Sequence, residues 1–278
     1  MQEVPYLQPP HDRCFGGQFR AARRRGNFES STMPGKIRVG IGGWTFEPWR
    51  GGFYPPGLAQ KRELEFASRA LTSIEINATY YSTFKPDTWR KWRDETPDGF
   101  VFAVKASRYC TNRKVLAGAG EAVDRFVSQG LTELGPKLGP INWQFAASKK
   151  FDSEDVGAFL SLLPTKKYGI ALRHALEVRH SSFATQACYD LARRHGVAIV
   201  YAADEDFPEI DQPTASFTYA RLMSTDEELE LGVSGHALTG LAKRLKAWAR
   251  HGDVFAYFIA GAKKRNPAAA QALIEKLG

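Results

Sequence analysis

Charged and amide side chains recur at one repeated position of this chain, where short apolar runs come to an end. Glu75 and Asn77 alternate with Ile74 and Ile76, Lys105 closes Phe102-Ala-Val-Lys, and Asn142 and Gln144 flank Trp143. Glu177 and Arg179 lie two apart, Asp204 follows a strongly apolar run, and Tyr219 and Arg221 repeat the two-residue spacing. Two glutamates can act as general acid and base when their surroundings set their pKa values apart. A lysine in such company can hold an anion, accept a proton, or form a Schiff base when desolvation lowers its pKa. Arginines suit two-pronged capture of a carboxylate or phosphate. The expected catalytic set is therefore Glu75, Lys105, Glu177 and Asp204. Arg179, His180, Arg221, Asn77 and Gln144 join the substrate-binding set, with Trp44, Tyr80 and Tyr257 as aromatic contacts. Three carboxylates (Glu75, Glu177, Asp204) face three cations (Lys105, Arg179, Arg221), so the cluster is formally neutral, as partial burial requires. Glu75 is expected to pair with Lys105. A purely structural salt-bridge network has the same composition, and the residues alone leave both roles open.

Strands and helices alternate from residue 36 onward. Strands are expected at 37–41, around Glu75, and at 100–105, 140–145, 175–179, 197–203, 217–222 and 254–258. Helices are expected at 61–70, 86–95, 121–134, 152–162, 183–195 and 236–250, and a last one opens at Asn266-Pro267, a cap and first-turn pair. Residues 205–214 carry two prolines and no helical period, so one crossover helix is replaced by a loop. Eight strands alternating with helices over this length match an α/β fold: a closed parallel (β/α)8 TIM-like barrel. The competing doubly wound sheet calls for a glycine-rich phosphate loop and helix after the first strand, and Gly40-Ile-Gly-Gly has neither the spacing nor the helix. In a barrel, alternate residues face inward and the C-terminal strand ends build the site. That rule brings the polar residues above to one mouth.

Hydrophobic residues make up 43% and charged residues 24% of the 278 residues, the composition of a globular protein with ample core. No apolar run reaches membrane-spanning length. Residues 1–33, with Arg23-Arg24-Arg25, prolines and no period, are expected to be a disordered basic tail. Residues 34–278 are then a single barrel domain. The three cysteines, Cys14, Cys110 and Cys188, are far apart and lack metal-ligand spacing, which fits inert thiols in a cytoplasmic protein. The net charge of +8 permits a nucleic-acid or phosphorylated partner. With only six histidines, and His180 alone beside the expected pocket, a multinuclear zinc site is not expected. No metal and no cofactor motif is read.

The runs Ile37-Arg-Val-Gly-Ile-Gly-Gly-Trp44, Trp49-Arg-Gly51, Phe53-Tyr-Pro55, Glu75-Ile-Asn77 with Tyr80-Tyr81, and Thr96-Pro-Asp-Gly-Phe100 occur in order. Phe102-Ala-Val-Lys105, Leu138-Gly-Pro140 with Trp143-Gln144, Glu177-Val-Arg-His180 and Tyr219-Ala-Arg-Leu222 follow them. Together, across about residues 36–260, they resemble the YecE-like proteins, the family known as domain of unknown function 72. The resemblance implies a barrel of this type and brings no settled reaction. The chain departs from the family where Ile259-Ala260 stands in place of the usual asparagines after Tyr257-Phe258. It departs again where Met223-Ser224 replaces the usual His-Gly.

The leading expectation is an enzyme acting on a small anionic or sugar-like substrate by acid/base chemistry, of hydrolase or lyase type. Two others are carried beside it. One is a nucleic-acid binding or processing protein with an endonuclease IV-like plan; the other is a non-catalytic ligand-binding barrel.

Overall fold

A computed structural model describes residues 34–278, and the expected basic tail with Cys14 lies outside them. Nine parallel strand segments follow one another: β1 (Ile37–Gly42), β2 (Ser73–Ile76), β3 (Val101–Lys105), β4 (Leu138–Gln144), β5 (His174–Glu177), β6 (Ala198–Ile199), β7 (Tyr201–Ala203), β8 (Phe217–Leu222) and β9 (Asp253–Phe258). Their order in the sheet is β6-β5-β4-β3-β2-β1-β9-β8-β7. The two ends, β6 and β7, are halves of the one apolar run expected at 197–203, broken at Val200. β6 pairs with β5 and β7 with β8, so the sheet closes through the break into a TIM-like barrel. The Val200 N–H still donates to the Leu176 carbonyl at 3.0 Å.

The outer wall carries helices α1 (Glu63–Ala70), α2 (Pro86–Glu95), the one-turn α3 (Arg108–Thr111), α4 (Gly120–Ser128), α5 (Ser153–Ser161), α6 (Gln186–His195), α7 (Gly235–Trp248) and α8 (Asn266–Leu277). Pro86 opens α2, where its missing N–H costs nothing. Asp152 caps α5 by accepting from the Glu154 and Asp155 amides. Left-handed Gly196 ends α6. The helix expected over 121–134 stops at Ser128, because Gly130 turns left-handed (φ 115°) and a 3-10 stretch, Leu131–Lys137, takes over. No helix joins β7 to β8; that connection is the expected loop.

Strand alternation divides the core in two. Outward residues such as Val39, Ile41, Ile74, Ile76, Phe102 and Val104 pack under the helices with the buried indoles of Trp89 and Trp143. Each such buried side chain contributes roughly 1.5–3 kcal/mol. Inward residues Val101, Ala103, Ala175, Ala198, Val200, Phe217, Tyr219, Phe255 and Tyr257 fill the barrel. One narrow contact fixes β1 against β2: a Cβ on Gly40 would lie 1.8 Å from the Ser73 carbonyl oxygen. The polar residues stand on top of this inner column.

Candidate active site at the barrel mouth

The alternation that fills the barrel also lifts Lys105, Glu177 and Arg221 to its C-terminal end, two residues beyond the inward Ala103, Ala175 and Tyr219, and Glu75 and Asn142 join them there. Arg221, only 3% exposed, bridges the two carboxylates. Its Nη1 donates to both Glu177 oxygens at 2.9 and 2.8 Å, and its Nη2 donates to Glu75 Oε1 at 3.2 Å. Asn142 Nδ2 stands between the same acids, 3.0 Å from Glu177 Oε2 and 3.5 Å from Glu75 Oε2. Tyr219 Oη donates to Glu75 Oε2 at 2.5 Å, and Gln144 Nε2 to Glu177 Oε1 at 2.7 Å. Arg179 adds Nε and Nη2 to the same Glu177 oxygen at 3.0 and 2.8 Å, its guanidinium lying 4.4 Å from the Phe207 ring centroid. Burial alone would raise the Glu177 pKa, but Arg221, Arg179 and Lys105 outweigh it and hold the carboxyl down to about 2. Burial alone would lower the Arg221 pKa, and Glu177 and Glu75 raise it instead. The expected pairing of Glu75 with Lys105 is not made. Arg221 and Tyr219 occupy that carboxylate, and Lys105 forms no salt bridge among the described residues.

Lys105 instead directs its ammonium over the Tyr80 ring, 4.5 Å from the centroid. Burial lowers its pKa first and the neighbouring Arg221 charge adds to this. Glu75 and Glu177 offset them only in part, leaving it at about 8. Lys105 and Arg221 border a cavity of about 580 Å³, with Asn77, Tyr80, Trp44 and Lys263 among its other walls. Neither glutamate lines that cavity; both are fully buried beneath it. Trp44 is set edge-on against Trp92 at 5.2 Å, and its carbonyl accepts from Tyr54 Oη. Asn77 fits because residue 42 is glycine: a Cβ there would lie 2.5 Å from its Nδ2. Asn77 Oδ1 is buried without a partner among the described residues.

Three expected site residues fall outside. Asp204 lies just past the end of β7, where the chain has left the sheet, and its Oδ1 accepts from the Asp206 amide at 2.9 Å in a local turn. Without it the cluster is two carboxylates against three cations, one positive charge in excess rather than neutral. His180 Nδ1 accepts from the Ser182 amide at 3.1 Å and braces a 3-10 turn. Tyr257 is buried in the barrel below Glu75, its hydroxyl 2.8 Å from Ser73 Oγ and its ring 5.2 Å from Tyr219. Gln144 and Arg179 belong to the acid cluster without lining the cavity.

The expected site set did not include Lys263, Trp92 or Phe84, all cavity walls, and Ile259, singled out only for its departure from the family pattern, is a wall as well. The Lys263 ammonium lies 4.2 Å from the Phe46 ring centroid, and burial lowers its pKa. Trp92 sits one helical turn beyond Trp89 on α2 and carried no separate signal. Asn266, expected as a cap, is the first residue of α8. Its side chain ties two loops, accepting from Thr225 Oγ1 at 2.8 Å and donating to the Ala260 carbonyl at 3.2 Å. Cys110 and Cys188 are buried and their thiols pushed up to about 12, away from nucleophilic character. Among the described residues no group of three or more His, Cys, Asp and Glu side chains is placed to hold a metal ion. No described helix is long and apolar enough to cross a membrane.

The profile of the protein family of unknown function DUF72 matches residues 38–278. The chain belongs to the DUF72 family. A DUF72 family protein from Thermotoga maritima has the same barrel, with a TM-score of 0.70 and 25% identity over 87% of this chain and 98% of that one. A second DUF72 structure, from Enterococcus faecalis, shares the fold at 15% identity, with a TM-score of 0.66 over 88% and 99% of the two chains. The UPF0759 protein YecE of Escherichia coli is 28% identical over 142 residues, 50% of this chain and 48% of that protein. The sequence match therefore spans about half of YecE. The two stretches expected to depart from the family pattern lie at the mouth or beside it. Ile259 and Ala260 line the cavity, and Ala260 adopts a left-handed backbone (φ 61°), a conformation asparagine tolerates better than alanine. Met223 is buried, and Ser224 Oγ donates to the Ala203 carbonyl at the end of β7.

Proposed function

We propose that this DUF72 barrel is an enzyme of hydrolase or lyase type that takes a small anionic substrate into its C-terminal mouth and uses Lys105 as the proton-transfer group. One observation carries the reading. Lys105 borders the cavity with no salt bridge among the described residues, and burial beside Arg221 brings its pKa to about 8, near the range where a general base works. The excess positive charge and Lys263 favour an anion, while Trp44 and Tyr80 offer faces for a ring or sugar. Glu75 and Glu177 hold Arg221 in place and tune Lys105 from below; in this reading they are positioning residues. With turnover established on any anionic substrate, Lys105→Met is expected to lower kcat by roughly 10²–10⁴-fold. It should also remove a limb of the pH profile near 8. Unchanged turnover in a folded variant would sink the assignment.

A second reading has its own support. Arg108 lies between two exposed rings, 5.6 Å from the Tyr81 centroid and 5.4 Å from that of Tyr109, and Tyr81 stands edge-on to Tyr80 at 4.9 Å. Cations interleaved with aromatics leading from a charged mouth suit a single-stranded nucleic acid. Binding of a DNA or RNA oligonucleotide that weakens steeply with salt would support it, and no salt-dependent binding would remove it.

A further inference from the structure

Most buried amines in proteins are neutralised by a carboxylate. At this mouth two carboxylates lie beneath the cavity and neither is left for Lys105. Glu177 accepts from Arg221, Arg179, Asn142 and Gln144, and Glu75 accepts from Arg221, Tyr219 and Asn142. The charged groups acting on Lys105 are Glu75, Glu177, Arg221 and Arg179, the two arginines opposing its protonation. What remains beside the ammonium is the face of Tyr80 and the cavity itself. Lys263 also borders that cavity and can neutralise a second group of the same ligand.

We infer that Lys105 is a carbonyl-reactive nucleophile, and that the ligand is an oxo acid whose carboxylate is held by Lys263 and Arg221 while its carbonyl carbon meets Lys105 Nζ. The inference rests on the reading that the mouth binds a small anion, and it deepens that reading by naming the substrate class. The free amine adds to the carbonyl carbon: an N–C bond forms, the C=O pair moves to oxygen, and that oxygen takes a proton from water. The amine proton shed on addition goes to solvent; the carbinolamine hydroxyl then takes a second proton from solvent and leaves as water, while the nitrogen pair forms C=N and gives the iminium. The iminium so formed withdraws electrons from the adjacent C–C and C–H bonds, which is chemistry of the lyase kind. The arrangement requires an unprotonated amine, and an unpaired lysine beside a second cation has one near neutral pH.

Trapping tests this directly. The full chain is incubated with pyruvate and sodium cyanoborohydride, whose hydride reduces an iminium to a stable secondary amine, and the adduct is located by peptide mass spectrometry. At pH 8 an amine of pKa about 8 is half unprotonated, about a hundredfold more than an ordinary lysine. Lys105 is therefore expected to be modified at least tenfold faster than the exposed Lys61, with a rate that levels off above pH 8 and is at least tenfold lower with acetone, which lacks the carboxylate. Lys105→Arg should abolish the fast adduct. Lys263→Gln should narrow the preference for pyruvate over acetone several-fold. Modification of Lys105 no faster than of Lys61, or a fast adduct surviving in Lys105→Arg, overturns the inference. Equal rates with pyruvate and acetone overturn the oxo-acid assignment. Protection of Lys105 from acetylation by propionate separates the two levels. Protection without trapping leaves the anion-binding reading standing and removes the Schiff base; neither protection nor trapping removes both.

Discussion

The two sides of the barrel mouth are made from the same residue types and differ in how their hydrogen bonds are spent. On one side Arg221, Arg179, Asn142, Gln144 and Tyr219 donate to Glu177 and Glu75, giving a wired cluster whose two carboxylates are fully buried. On the other, Lys105 has an aromatic face and open space. On that side the arginines hold the Glu177 carboxyl charged far below neutral pH. An unpaired amine is chemically available. In the proposed reading this difference makes the carboxylates, the residues that catch the eye in the sequence, the scaffold, and assigns the chemistry to the cation they leave without a salt bridge.

The largest effect is expected from cutting the wired side. Glu177→Gln leaves Arg179 without a carboxylate and Arg221 with one, and should cost about 3–5 kcal/mol in denaturant unfolding. The native Glu177 carboxyl titrates near 2, below its unfolded value near 4.5. Its stabilisation is therefore complete above about 4.5 and is lost as the pH falls from there toward 2. Glu177→Gln should flatten that acid limb. A smaller loss, about 1.5–3 kcal/mol, is expected for Tyr219→Phe, which removes one donor to a buried carboxylate and leaves the ring in place. The open side should behave in the opposite sense. Lys105 titrates near 8 in the fold and near 10.5 when unfolded, so its cost is complete below about 8 and is relieved as the pH rises toward 10.5. Lys105→Met should therefore stabilise the protein at pH 7 by about 1–2 kcal/mol, with the gain vanishing by pH 10.5. Destabilisation by Lys105→Met would mean that both sides of the mouth are structural, and the contrast would be lost.

Much of the fold was legible because the period-2 runs, the Pro86 start and the Gly196 stop each carry a local physical cause. The barrel followed from their count, and the missing crossover helix from the prolines of 205–214. The polar mouth was legible for the same reason, since strand alternation puts Glu75, Asn142, Glu177 and Arg221 on one side. Pairing was not legible. Whether Glu75 takes Lys105 or Arg221 depends on the reach of a guanidinium across the barrel from β8, and no local rule carries that distance. Asp204 was misplaced because alternation was continued past Ala203, where the chain has already left the sheet. Lys263 was visible only as part of a basic turn, and its approach to the cavity depends on loops tied together by Asn266.

The break at Val200 has a consequence for how the ring comes apart. Here one apolar run serves both sides of the seam in two pieces, β6 registered with β5 at two positions and β7 with β8 at three. No helix shields the connection that follows. In native-state hydrogen exchange the amides of 198–203 should open at lower free energy than those of β1 and β9, which share five registered positions. The molecule would then unzip from its seam while the strands bearing Glu75 and Lys105 stay closed.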